Sequence, residues 1–126
     1  MTVEKVNHIA ILVKDLEKAA KDYSDLLSIE FPEPHDSQAI DMRVSRSSVG
    51  IELVAPLSPD GALAKTIERR GEGMMLVTLW VSDLQEASAK LKAKGARQVG
   101  GDGVRSIILH PKDFHGVMVE LDQSPS

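Results

Sequence analysis

A run of apolar residues from Val6 to Val13, interrupted only by Asn7 and His8, gives way at Lys14-Asp15-Leu16 to helical spacing. This predicts a buried strand running into a helix start. The pattern recurs at Leu76-Val77-Thr78-Leu79-Trp80-Val81-Ser82-Asp83-Leu84, with Val13/Val81, Asp15/Asp83, Leu16/Leu84 and Ala19/Ala87 in step at an offset of 68 (8 against 76). Gly50-Ile51-Glu52-Leu53 returns as Met118-Val119-Glu120-Leu121 at the same offset (52 against 120). Two copies are too few for a solenoid and point to a duplicated module.

Within each copy the order of elements reads βαβββ. In the first, residues 3–13 form a strand and Asp15 caps a helix from Leu16 to about Leu27. The two prolines of 31–37 mark a loop, and 40–46 and 49–54 form a hairpin. Ser58, as cap, and Pro59, at the first helical position, open a junction helix that Gly71 ends. In the second copy, 73–81 is a strand and Asp83 starts a helix that closes at Gly95. Short strands follow near 97–100, 104–110 and 116–121. The expected organisation is one domain over 1–126: module one at about 3–56, the junction helix at about 58–71, and module two at about 73–122. The fold class is α+β, two βαβββ modules pairing into a concave, cleft-forming mixed sheet with helices outside.

Sorting the strand residues by alternation separates two faces. One carries Ile9, Ile11, Val13, Ile51, Leu53, Val77, Leu79, Val81, Val117, Val119 and Leu121, all aliphatic and suited to a helix cover. The other mixes small and apolar residues with His8, Glu52, Thr78 and Glu120. A charge placed mid-sheet is costly without a partner. His8, Glu52 and Glu120 on one face therefore mark a candidate site, with both glutamates at the same repeat position. His35, His110 and His115 fall in loops, turns or a strand end and rank below His8.

Composition narrows the function. A net charge of −4 over 126 residues disfavours nucleic acid or an anionic membrane as partner. The absence of cysteine excludes a thiolate nucleophile or cysteine-held metal. With no signal peptide read and no apolar run long enough for a bilayer, a cytoplasmic location is expected.

With its paired modules and its His8-Ile9-Ala10 strand leading to Asp15-Leu16, the chain resembles the vicinal oxygen chelate superfamily, which holds the glyoxalases, bleomycin-resistance proteins and extradiol dioxygenases. Within it, the likeness is closest to the methylmalonyl-CoA epimerases. Ile51-Glu52-Leu53-Val54-Ala55-Pro56-Leu57-Ser58-Pro59-Asp60, Arg70-Gly71-Glu72-Gly73, His110-Pro111-Lys112 and Gly116-Val117-Met118-Val119-Glu120-Leu121 carry it. The resemblance implies a divalent metal held by His8, Glu52 and Glu120, with Leu76 where a further histidine ligand would stand. One nitrogen and two carboxylates suit Mn²⁺, Co²⁺ or Mg²⁺. No organic cofactor is implied. The implied activity is proton abstraction α to a carbonyl of an acyl-CoA-type substrate, with Glu52 and Glu120 as acid and base, in a homodimer. Two alternatives stay open: a metal-free protein that binds a small ligand, as resistance proteins do, and a glyoxalase-like lyase.

Overall fold

The computed structural model describes residues 1–125, with eight strands, three α-helices and one 3₁₀ turn among them. The fold is α+β. Two compact units divide the chain: Ile9–Met75, and Met1–His8 together with the chain from Leu76 on. The boundaries fall inside two strands, so the junction helix belongs with the first module's elements.

In the unit Ile9–Met75, the strand β1 (Val3–Leu12) contributes its last four residues. The helix α1 (Leu16–Leu27) follows, with the Asp15 carboxylate accepting from the Lys18 amide at 3.1 Å as its N-cap. Then come β2 (His35–Ser37), β3 (Met42–Arg46), β4 (Ile51–Pro56) and the helix α2 (Ala62–Arg70). The pairing order is β2-β3-β4-β1, antiparallel except for the parallel β4–β1 ladder. Val13, Leu16, Leu53 and Ala55 are buried together, with Ile11, Ala19, Ala20, Tyr23 and Phe31 packed against them. The aliphatic strand face thus lies under α1. Burying Leu16 and Leu53 contributes about 1.5–3 kcal/mol each.

Two local expectations change here. The segment 31–37 reads as loop, yet His35–Ser37 pairs with β3, His35 opposite Val44. Ser58 reads as a helix cap, yet its amide and hydroxyl both donate to Asp41, at 2.9 and 2.6 Å, and Gly61 caps α2 instead. A Cβ on residue 61 would collide with the Asp41 carboxylate, so the cap is glycine.

The other unit contains β5 (Gly73–Val81, from Leu76), α3 (Leu84–Ala93), β6 (Gln98–Gly100), β7 (Ser106–Leu109), a 3₁₀ turn (Pro111–Phe114) and β8 (Val119–Gln123). Its pairing order is β5-β8-β7-β6, with β5–β8 parallel and the rest antiparallel. Asp83 caps α3 by accepting from the Glu86 amide at 3.0 Å. Val81, Leu84, Ala87, Ile107, Leu109, Val119 and Leu121 form its core.

The repeat survives as strand register. In the parallel β1–β4 ladder Ile9 faces Ile51 and Ala10 faces Glu52; in β5–β8 Val77 faces Val119 and Thr78 faces Glu120. Every one of these pairs is related by the offset of 68. Among the described residues no helix is long and apolar enough to cross a membrane.

Candidate functional site

Strand alternation places Thr78 on the face of β5 opposite Val77 and Leu79, which pack against the core under α3. Register places Glu120 directly beside Thr78 across the parallel ladder. His8, on β1, is 2 % exposed and Thr78 is fully buried. Polar groups this deep must be satisfied by one another. Thr78 does this for both neighbours: its Oγ1 lies 3.1 Å from His8 Nε2 and donates to Glu120 Oε1 at 2.7 Å. The other ring nitrogen, His8 Nδ1, lies 2.9 Å from the Asn7 amide nitrogen, a donor. The three contacts agree on one direction: Asn7 donates to Nδ1, the proton sits on Nε2 and donates to Thr78, and Thr78 donates to Glu120.

Glu52 belongs to the other unit. Its parallel neighbour is Ala10 and its antiparallel neighbour is Arg46. Arg46 Nε and Nη2 both donate to Glu52 Oε2, at 3.0 and 2.8 Å. The Glu52 side chain is 15 % exposed and the Arg46 side chain 48 %, a partly screened, charge-assisted pair. The corresponding antiparallel neighbour of Glu120 is Ile108.

Of the three residues singled out from sequence, His8 and Glu120 are therefore joined through Thr78, and Glu52 is held by Arg46. Leu76, 6 % exposed, lies two residues before Thr78 on the same strand face and offers no donor atom. Among the described residues no group of three His, Asp or Glu side chains is gathered closely enough to hold a metal ion. Sequence reading misses Asn7 and Arg46, and places Thr78 on this face without giving it a role. For Thr78 a signal existed: a hydroxyl where the first copy has Ala10.

The remaining histidines serve local structure. His110 Nδ1 accepts from the Lys112 amide at 3.0 Å to start the 3₁₀ turn, His115 ends it in the left-handed region at φ 58°, and His35 is exposed on β2. A cleft of about 590 Å³ in the unit Ile9–Met75 lies elsewhere, beside α1. Two of its acids are engaged within the lining: Asp22 accepts from Lys18 at 2.9 Å, and Glu72 from the Lys14 amide at 2.8 Å.

Residues 7–108 match the family model described as the glyoxalase/bleomycin resistance protein/dioxygenase superfamily. An ethylmalonyl-CoA/methylmalonyl-CoA epimerase of Cereibacter sphaeroides is 34% identical over 132 residues, covering 96% of this chain and 98% of the relative. The mitochondrial methylmalonyl-CoA epimerase of Homo sapiens is 34% identical over 131 residues, covering 95% of this chain and 74% of its own. Among solved structures, a variant of the Streptomyces coelicolor methylmalonyl-CoA epimerase in complex with 2-nitronate-propionyl-CoA superposes with a TM-score of 0.85 at 26% identity. That superposition covers 99% of this chain and 100% of the other.

Proposed function

The chain belongs to the glyoxalase/bleomycin resistance protein/dioxygenase superfamily, and on that premise we propose that it is a methylmalonyl-CoA epimerase-like isomerase. The reaction is removal and return of the proton α to a carbonyl of an acyl-CoA-type substrate. One observation carries the reading: two glutamates, Glu52 and Glu120, hold the same register position in the two copies of the repeat, in a chain similar end to end to named epimerases.

Glu52 and Glu120 are the acid and the base. A carboxylate removes the proton and the other carboxyl returns one, a division of labour that general acid–base catalysis rewards with about 10²- to 10⁴-fold in rate. Arg46 fixes the orientation of Glu52 through two donors to one oxygen. Thr78 fixes that of Glu120 through one.

The donor types of His8, Glu52 and Glu120 suit a hard or borderline divalent cation, Mn²⁺, Co²⁺ or Mg²⁺, and these residues would hold it. Bound there, such an ion would supply positive charge beside the substrate carbonyl oxygen. Against that fit stand Leu76, which adds no ligand, and the engagement of His8 Nε2 and Glu120 Oε1 with Thr78. The family likeness further supports a homodimer.

The test is solvent-deuterium incorporation into 2-methylmalonyl-CoA, with chelator and with each of the three metals. Incorporation at the α carbon is expected; none under any condition ends the reading. Leu76 and the Thr78 bridge favour a second reading, a metal-free ligand-binding protein of the same superfamily. Thermal stabilisation of chelator-treated protein by 2-methylmalonyl-CoA without any deuterium incorporation would select it.

A further inference from the structure

We propose that Thr78 is a positioning residue whose hydroxyl ties His8 to Glu120, and that it competes with any divalent cation for those two side chains. The positioning role rests on Glu120 as an acid–base group under the reading above; the competition does not.

The argument starts from proton count. A threonine hydroxyl has one hydrogen to donate. With Glu120 Oε1 at 2.7 Å as an acceptor, that hydrogen goes to the carboxylate, and Oγ1 is left to accept. His8 Nε2, 3.1 Å away, then carries the imidazole proton, as the Asn7 donor at Nδ1 already requires. A nitrogen that bears a proton has no lone pair for a metal; ligation needs the imidazole neutral and that nitrogen bare. A cation at His8 Nε2 must therefore reverse the His8 tautomer and displace Thr78 from that nitrogen, and at Glu120 it competes with the Thr78 hydroxyl for Oε1.

The bridge is also hard to move. Thr78 is fully buried in a nine-residue strand, paired in register with Glu120. A β-branched side chain there has restricted rotation about χ1. Leu76, next on that face, supplies no atom that could compensate a cation for the loss. The first copy shows what the position looks like without the device: Ala10 beside Glu52, with the carboxylate held by a guanidinium instead.

Three variants and two readouts other than turnover test this. Long-range ¹H–¹⁵N correlation of ¹⁵N-histidine-labelled protein should show His8 protonated at Nε2 in the wild type and in Thr78→Ser, and in Thr78→Val as well, where the Asn7 donor alone holds the tautomer. Mn²⁺ binding followed by electron paramagnetic resonance should be about tenfold tighter in Thr78→Val than in the wild type, the scale set by losing one competing hydrogen bond to a charged group. Thr78→Ser should bind as the wild type does. In the deuterium assay Thr78→Val should lower kcat with little change in KM, and Thr78→Ser should restore it. A wild-type His8 protonated at Nδ1 would overturn the proposal, as would equal Mn²⁺ affinity in wild type and Thr78→Val. If Thr78→Val does not fold, Thr78→Ala takes its place in the Mn²⁺ comparison and the wild-type tautomer still decides. Lack of deuterium incorporation by every variant, with the tautomer and Mn²⁺ results as expected, would sink the epimerase reading and leave the competition standing.

Discussion

Glu52 and Glu120 occupy the same place in two copies of one ladder, and their neighbours are nearly opposite in kind. Beside Glu52 stand a methyl group, Ala10, and a guanidinium, Arg46. Beside Glu120 stand a hydroxyl, Thr78, and an aliphatic branch, Ile108. The helix starts that follow the first strand of each copy are alike: Asp15 and Asp83 cap the helices, and Leu16 and Leu84 anchor them at 1 % and 0 % exposure. The scaffold of the repeat is thus symmetric while the chemistry at its centre is not. Two cross-strand neighbours per copy suffice to give identical carboxylates different surroundings, a guanidinium for one and a hydroxyl for the other.

The sharpest way to break that comparison is to neutralise each acid in turn. Glu120→Gln and Glu52→Gln keep the side-chain volume and remove the proton chemistry. Each is expected to lower epimerisation of 2-methylmalonyl-CoA by about 10²- to 10⁴-fold, the range for loss of a general acid or base. Deuterium incorporation should then depend on which enantiomer is supplied, and oppositely in the two variants. A variant that turns over at the wild-type rate removes its glutamate from the site.

The symmetric half of the comparison has its own test. Leu16→Ala and Leu84→Ala each open a cavity in one unit's core, and a loss of about 2–5 kcal/mol is expected for each. Urea denaturation of the two variants should give losses within about 1.5 kcal/mol of one another, a window smaller than the spread among buried leucines in general. A large loss in one and a negligible loss in the other would show that the copies have stopped being equivalent as scaffolds too.

How far the sequence alone reached follows the same division. The register at 68, both aspartate caps and the aliphatic face under the helices were legible, because each depends on residues close in sequence or on simple period-two spacing. His8 and the two glutamates stood out as polar residues in apolar strands. What stayed hidden depends on contacts made across the fold. Thr78 reads as an ordinary β-former until Glu120 is paired beside it. Arg46 reads as a solvated strand end until its guanidinium meets Glu52. Ser58 has every local feature of a helix cap, yet it donates to Asp41, 17 residues earlier in the chain, and Gly61 caps the helix. The strand His35–Ser37 is too short and polar to show a period.

The smallest expected effect concerns the turns that precede the third strand of each copy, where an aspartate serves each unit differently. Asp41 reaches out of its turn to Ser58, at 2.9 and 2.6 Å. Asp102 stays within its own: one carboxylate oxygen accepts from the amides of Val104, Arg105 and Ser106 at 2.8, 2.7 and 3.1 Å. The turn is tight enough that Gly101, at φ 89°, would drive a Cβ into the Ser106 carbonyl. Those amides, Arg105 first, hold the Asp102 carboxyl below its usual 3.8. A carboxyl with a lowered folded value adds stability above the ordinary pKa, and the contribution fades as pH falls through the lowered one. Asp102→Asn keeps the shape and removes the charge. Its melting temperature should lie slightly below the wild type's from pH 7 down to about pH 5, and the gap should close as the pH drops below about 4. A gap for Asp102→Asn that stays constant to pH 3 would mean the three amides hold the turn by shape alone, and the two aspartates would then differ only in what they reach.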